Sequence, residues 1–190
     1  MLKKINYLLL ILILSGCNIF QPRKAEEPRP PAQWHPFTVT AMMCLENLIF
    51  SYNYKQNMFN FERILSDDFV FYFDRNDVTD FSLPISWEKD AEKEMLINAH
   101  QRVKGDRAMD LILTSIINQP DDIGLNIAWI YRNYELFVYH DDQNISNTFA
   151  GQFQLLLERE NDGLWRIMEW HDFRKDNLWT WGRMKNEFRT

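Results

Sequence analysis

Three long runs in which apolar and polar residues alternate, separated by short turn-forming stretches, fill positions 125–174 and constrain the fold more than any other feature. The runs are 125–139, 148–158 and 164–174. A period of two sends one set of side chains to a core and the other to the opposite face of a strand. The last two runs are joined by "ENDG", in which Asp162-Gly163 is a tight-hairpin signal. A fourth run, 107–118, ends before Pro120-Asp121-Asp122. Strands joined so closely pair antiparallel, so this half of the chain predicts a meander. The alternation falters at Arg132-Asn133, where a bulge or bend is expected.

The preceding half is helical with one strand. Val39, Met42, Met43, Leu48, Ile49 and Tyr52 recur at helical spacing over 37–56, and Thr38 or Thr40 suits the cap. A short helix is expected over 58–65, a turn at Ser66-Asp67-Asp68, and a strand at "FVFYF", 69–73. The stretch 86–105 predicts a helix capped by Ser86, with Glu88 and Asp90 in its first turn and Gly105 past its end. Two or three helices on one side of an antiparallel sheet make an α+β domain.

The N-terminus does not belong to that domain. Lys3 and Lys4 precede an apolar run from Tyr7 to Leu14, too short for a span that needs roughly 20 apolar residues. The layout is that of an export signal. Leu14, Ser15, Gly16 and Cys17 resemble the lipobox of bacterial lipoproteins. That resemblance implies cleavage after residue 16, acylation of Cys17 (palmitate among the acyl chains) and a partner in the membrane itself. Asn18 is not the aspartate that marks inner-membrane retention, so the resemblance favours an exported, envelope-anchored protein on the outer membrane of a two-membrane cell. Five of the seven prolines fall within 18–36, which reads as an extended tether. The chain thus divides into a signal peptide (1–16), a lipidated N-terminus and tether (17–36), a folded domain (37–174) and an aromatic extension (175–190) whose Trp179 and Trp181 are too apolar for a free tail.

Composition removes other classes. The formal net charge is -6 and no lysine–arginine cluster exists, so no nucleic-acid partner is expected. With Cys17 acylated, Cys44 has no disulfide partner and reads as a small buried apolar residue. No histidine or cysteine pair, acidic calcium loop or glycine-rich phosphate turn is present, so no metal and no cofactor are expected.

The element order resembles the nuclear-transport-factor-2-like superfamily, also called SnoaL-like or cystatin-like. "ENLIFSYNYKQNMFNFERILSDDFVFYF" is similar to its first helix, short second helix and following strand, and "GLWRIMEWHDF" to its closing strand, with Trp165, Ile167 and His171 in a W-x-I-x-x-x-H pattern. The resemblance covers 37–174. It implies a strongly curved antiparallel sheet wrapped around two or three N-terminal helices to form a cone.

Such a cone hosts isomerases, dehydratases, hydrolases and members without known activity, so the fold does not choose among them. Acid–base chemistry there needs a carboxylate or histidine inside, opposite a hydrogen-bond donor. The catalytic candidates are His171, Asp172, Arg132 and Tyr134; Tyr72, Glu135 and Glu169 are candidates for the pocket lining. His171 and Asp172 are adjacent on a strand, so at most one of them faces the cone. Arg132 beside Glu135 reads as an ion pair at a bend. Three readings stay open: a non-catalytic module binding a small apolar ligand or a protein, with a homodimer through the sheet face as one form; an enzyme acting on a small hydrophobic molecule; and a purely structural surface lipoprotein. The residues favour the first, since no pair among them meets the demands of catalysis by spacing alone. The filling of the cone decides: an open cavity beside Asp172 or His171 favours the enzyme, and aromatic side chains in that space count against it.

Overall fold

A computed structural model describes residues 33–103, 109–140, 145–176 and 178–189. The segments expected to be signal peptide and tether lie outside the described residues up to position 32, Cys17 included. The last tether residues are latched to the domain: Asn57 Nδ2 donates to the Gln33 carbonyl (2.7 Å), and Asn47 both accepts from His35 N–H (2.8 Å) and donates to the His35 carbonyl (2.9 Å).

Helix α1, Ala41–Asn53, is capped by Thr40, whose hydroxyl accepts from Met43 N–H. Its stripe of Cys44, Leu45, Leu48 and Tyr52 is buried. Two 3₁₀ turns, Lys55–Asn57 and Phe61–Ile64, replace the single short helix expected there. Strand β1, Leu65–Tyr72, starts earlier than expected, because Ser66, Asp67 and Asp68 are taken up by a register shift between Leu65 and Val70. Helix α2, Arg75–Phe81, was not expected; Asp74 caps it by accepting from Asn76 N–H (2.8 Å). Ser86 is not a helix cap. It lies in β2, Ser86–Glu88, which pairs with β1, and α3, Lys89–Arg102, begins directly after.

The remaining strands are β3 (Met109–Ser115), β4 (Asp122–Ile123), β5 (Ile127–His140), β6 (Ile145–Arg159) and β7 (Trp165–Arg174), followed by helix α4, Trp181–Phe188. They form one curved, open sheet in the order β2-β1-β7-β6-β5-β3, with β4 on β5. The sheet is antiparallel except where β1 lies parallel to β7. Parallel neighbours need a long crossover, and the intervening helices and strands provide it.

The β5–β6 ladder runs without a shift from Ile127↔Glu158 to His140↔Ile145, so no bulge occurs at Arg132-Asn133. The alternation falters there because a polar residue, Arg132, occupies a buried position. In the meander a shift sits instead between Leu156 and Leu157 of β6, against β7. One face of the sheet is buried under the helices through Ile130, Tyr134 and Leu136 of β5, Phe149, Phe153 and Leu155 of β6, and Ile167 and Trp170 of β7.

Candidate functional site

The concave space between sheet and helices is occupied by the chain's own α4. The motif Trp181, Met184, Lys185, Phe188 has the spacing of one helix face, and all four side chains are buried. Trp181 packs edge-on against Trp170 (4.6 Å between ring centres) and Tyr52 (5.2 Å), and tilted against Tyr134 (4.4 Å). Its indole N–H donates to Tyr52 Oη (3.1 Å). Such an eight-residue helix is marginal by itself; the packing of this face holds it.

The N-terminus of α4 sits on two buried carboxylates. Trp181 N–H donates to Tyr134 Oη (2.7 Å), whose hydroxyl donates to Asp172 Oδ1 (2.9 Å). Gly182 N–H donates to Asp172 Oδ2 (3.2 Å). Asp77, at 0% exposure, accepts from the Thr180 hydroxyl and pairs with Arg174, which also reaches Asp80 (2.8 Å). Anions at a helix N-terminus meet free N–H groups and the positive end of the dipole. Two glycines permit this approach: a Cβ on Gly182 would stand 2.5 Å from Asp77 Oδ2, and one on Gly151 would stand 2.7 Å from Tyr134 Oη.

Burial pushes the Asp172 carboxyl up to about 7, and the nearby Asp77 charge adds to that; the hydrogen bonds from Tyr134 and Gly182 and the Lys185 charge act the other way. The Tyr134 hydroxyl is raised well above its ordinary range, by burial first and then by the Asp172 charge.

One turn further along α4, Lys185 Nζ is fully buried and pairs with Glu92 Oε1 of α3. Glu92 Oε2 accepts from the Trp87 indole N–H (2.7 Å). The ammonium lies 3.9 Å from the ring centre of Phe71, 4.8 Å from Trp170, 5.4 Å from Trp87 and 5.9 Å from Trp181. Aromatic faces attract cations by their quadrupole, more strongly where water is excluded. Burial lowers the Lys185 pKa, and Glu92 opposes that shift.

The sequence candidates divide between the two faces. Asp172 and Tyr134 face the cone and touch each other. His171 faces outward, stacked on Tyr72 at 4.4 Å, with Nε2 2.8 Å from Glu169 Oε2. Tyr72, Glu135 and Glu169 are therefore not cone-lining residues: strand parity places them with His171 on the outer face, one step from buried neighbours such as Phe71, Tyr134 and Trp170. Arg132 is an ion-pair residue, as expected, but its partner is Asp121 (2.6 Å, through both guanidinium nitrogens) rather than Glu135. Burial holds the Cys44 thiol far above its ordinary range. A surface cleft of about 360 Å³ between Trp34–Thr38 and Arg166 is lined neither by Asp172 nor by Tyr134, and its Lys89 and Arg166 are paired to Asp67, Glu160 and Asp162.

Sequence reasoning missed Asp77, Trp87, Glu92 and Lys185. For Lys185 a signal existed: it falls in the apolar stripe of Trp181, Met184 and Phe188, where a solvated lysine does not belong. Asp77 lies on a helix that was not expected, and no local pattern marks Trp87 or Glu92.

No family model matches the sequence, and no curated protein is similar to it by sequence. Solved structures do match the fold. A conserved protein from Planctomyces limnophilus superposes with a TM-score of 0.56 at 14% identity, over 68% of this chain and 89% of its own. A nuclear-transport-factor-2-like superfamily protein from Salmonella enterica gives 0.50 at 13% identity, over 70% and 89%. A hexachlorocyclohexane dehydrochlorinase, LinA-type3, from Novosphingobium barchaimii gives 0.50 at 12% identity, over 71% and 83%. At these identities the likeness concerns the backbone alone: the chain has the nuclear-transport-factor-2-like fold, with an α+β architecture of curved open sheet and helices.

Proposed function

We propose that this chain is an exported lipoprotein, anchored through Cys17, whose cone-shaped domain is a non-catalytic binding module closed by its own C-terminal helix. The observation that carries the reading is the seating of α4. Asp172 and Tyr134, the acid and donor that proton transfer would employ, have their oxygens engaged by Trp181, Gly182 and one another. Aromatic side chains stand where a substrate would lie. The tether and lipid hold such a module near a membrane, where a small ligand or a protein partner reaches it. Ile112 and Phe173, about half exposed on the outer sheet face, support a second copy of the chain as one such partner.

A second reading, an acid–base enzyme acting on a small hydrophobic molecule, draws on the Asp172–Tyr134 pair, with a carboxyl poised near neutrality. It requires α4 to be absent from the cone most of the time. Hydrogen exchange on the intact chain separates the two. The binding-module reading expects the amides of Trp181–Phe188 to exchange slowly, with the core strands. Exchange at the rate of an unstructured peptide would remove it and leave the enzyme reading in place.

A further inference from the structure

Stripped of α4, the cone has an uneven chemistry. Its wall carries three buried carboxylates, Asp77, Asp172 and Glu92, none more than 2% exposed. Each touches a group of α4 or the residue capping it: Thr180, Gly182 and Lys185 respectively. Among the described residues the buried cations are Lys185, carried by α4 itself, and Arg132, which is engaged by Asp121. Arg174, on the rim and one-fifth exposed, is divided between Asp77 and Asp80. Around the Lys185 ammonium the wall is aromatic, formed by Phe71, Trp87 and Trp170.

Packing alone does not call for a lysine at this position. A buried ion pair replaced by apolar residues of similar volume is often neutral or stabilising. A carboxylate facing a box of aromatic rings is, however, the arrangement that recognises an organic cation. The helix that supplies the cation takes no part in the strand ladder, so its departure breaks no strand pairing. It follows β7 through 175–180, where Asp176 adopts φ 56 and Ala150 N–H donates to the Trp179 carbonyl (2.6 Å).

Building on the binding-module reading above, we infer that the cone is a pocket for a small organic ammonium ion with an apolar body, and that Lys185 is its tethered stand-in. In the exchanged state the ligand ammonium pairs with Glu92 between Phe71, Trp87 and Trp170, and its body takes the space of the lysine stem.

Chemical rescue tests this on the full chain. Lys185→Ala removes the ammonium and stem while Trp181, Met184 and Phe188 still seat α4. Its thermal midpoint is expected to fall and then to rise saturably, by several degrees, with millimolar n-butylammonium. Neither n-butanol nor butyrate should raise it, and adding Glu92→Gln should abolish the rescue. If Lys185→Ala is unfolded alone, n-butylammonium must restore its circular dichroism and n-butanol must not. Lys185→Met, which fills the box, must be indifferent to all three. Absence of rescue, equal rescue by the alcohol, or rescue of Lys185→Met overturns the inference. These outcomes leave the exchange rates of wild-type α4 untouched, so the inference and the binding-module reading fail separately.

Discussion

Asp172 illustrates how one side chain can be legible in type and illegible in role. Parity allowed at most one of it and His171 to face the cone, and the structure has Asp172 there. Burial among Trp170, Tyr134 and Trp181 then set its proton affinity. In the fold it keeps its proton up to about pH 7, whereas an unfolded aspartate loses it near 4. Between those values the native state binds more protons than the unfolded one, so this residue's contribution to stability declines as pH rises from about 4 to about 7 and stays low above. The shift corresponds to about 4 kcal/mol. Asp172→Asn loses that dependence. Its deficit in urea midpoint relative to wild type is expected to be larger at pH 5 than at pH 8. His100, buried and neutral with its pKa lowered to about 4, loses stability in the opposite direction, as pH falls through 6.5. It is present in both proteins and cancels in the difference. A deficit that does not change with pH would contradict the assignment.

At the level of elements, long strands were easiest to read and helix boundaries hardest. Strands β5, β6 and β7 follow from alternation, because a sheet with one buried face imposes period two on its own sequence. Strand β2 and helix α2 were missed because three and seven residues carry too little pattern to outweigh the surrounding loop signals. Helix α4 depends on tertiary contact for its existence. Its seat leaves no room at Gly182, where an added methyl would meet the Asp77 carboxylate backed by Arg174 and Thr180. Gly182→Ala is therefore expected to destabilise the chain by about 1–3 kcal/mol, despite the better helix propensity of alanine. Chemical denaturation measures this, and an unchanged or higher midpoint would show that α4 sits less tightly than described.

For the whole molecule, placement and folding are separable problems. The lipid anchor proposed at Cys17 predicts that Cys17→Ala blocks incorporation of labelled palmitate and moves the chain from the membrane fraction to the soluble one, while its thermal midpoint stays unchanged. Membrane retention of the unlabelled variant would sink the proposal. The sequence alone determined the class of domain and the order of the major strands along the chain, since hydropathy and turn chemistry are local and act through neighbouring residues. Only the tertiary structure decided what fills the cone. Lys185 and Glu92 are 93 residues apart, as Asp77 and Thr180 are 103 apart. No periodicity links such positions. Their pairing arises because the curved sheet must bury its concave face, and the chain's last helix carries both the apolar surface and the positive charge that this face lacks.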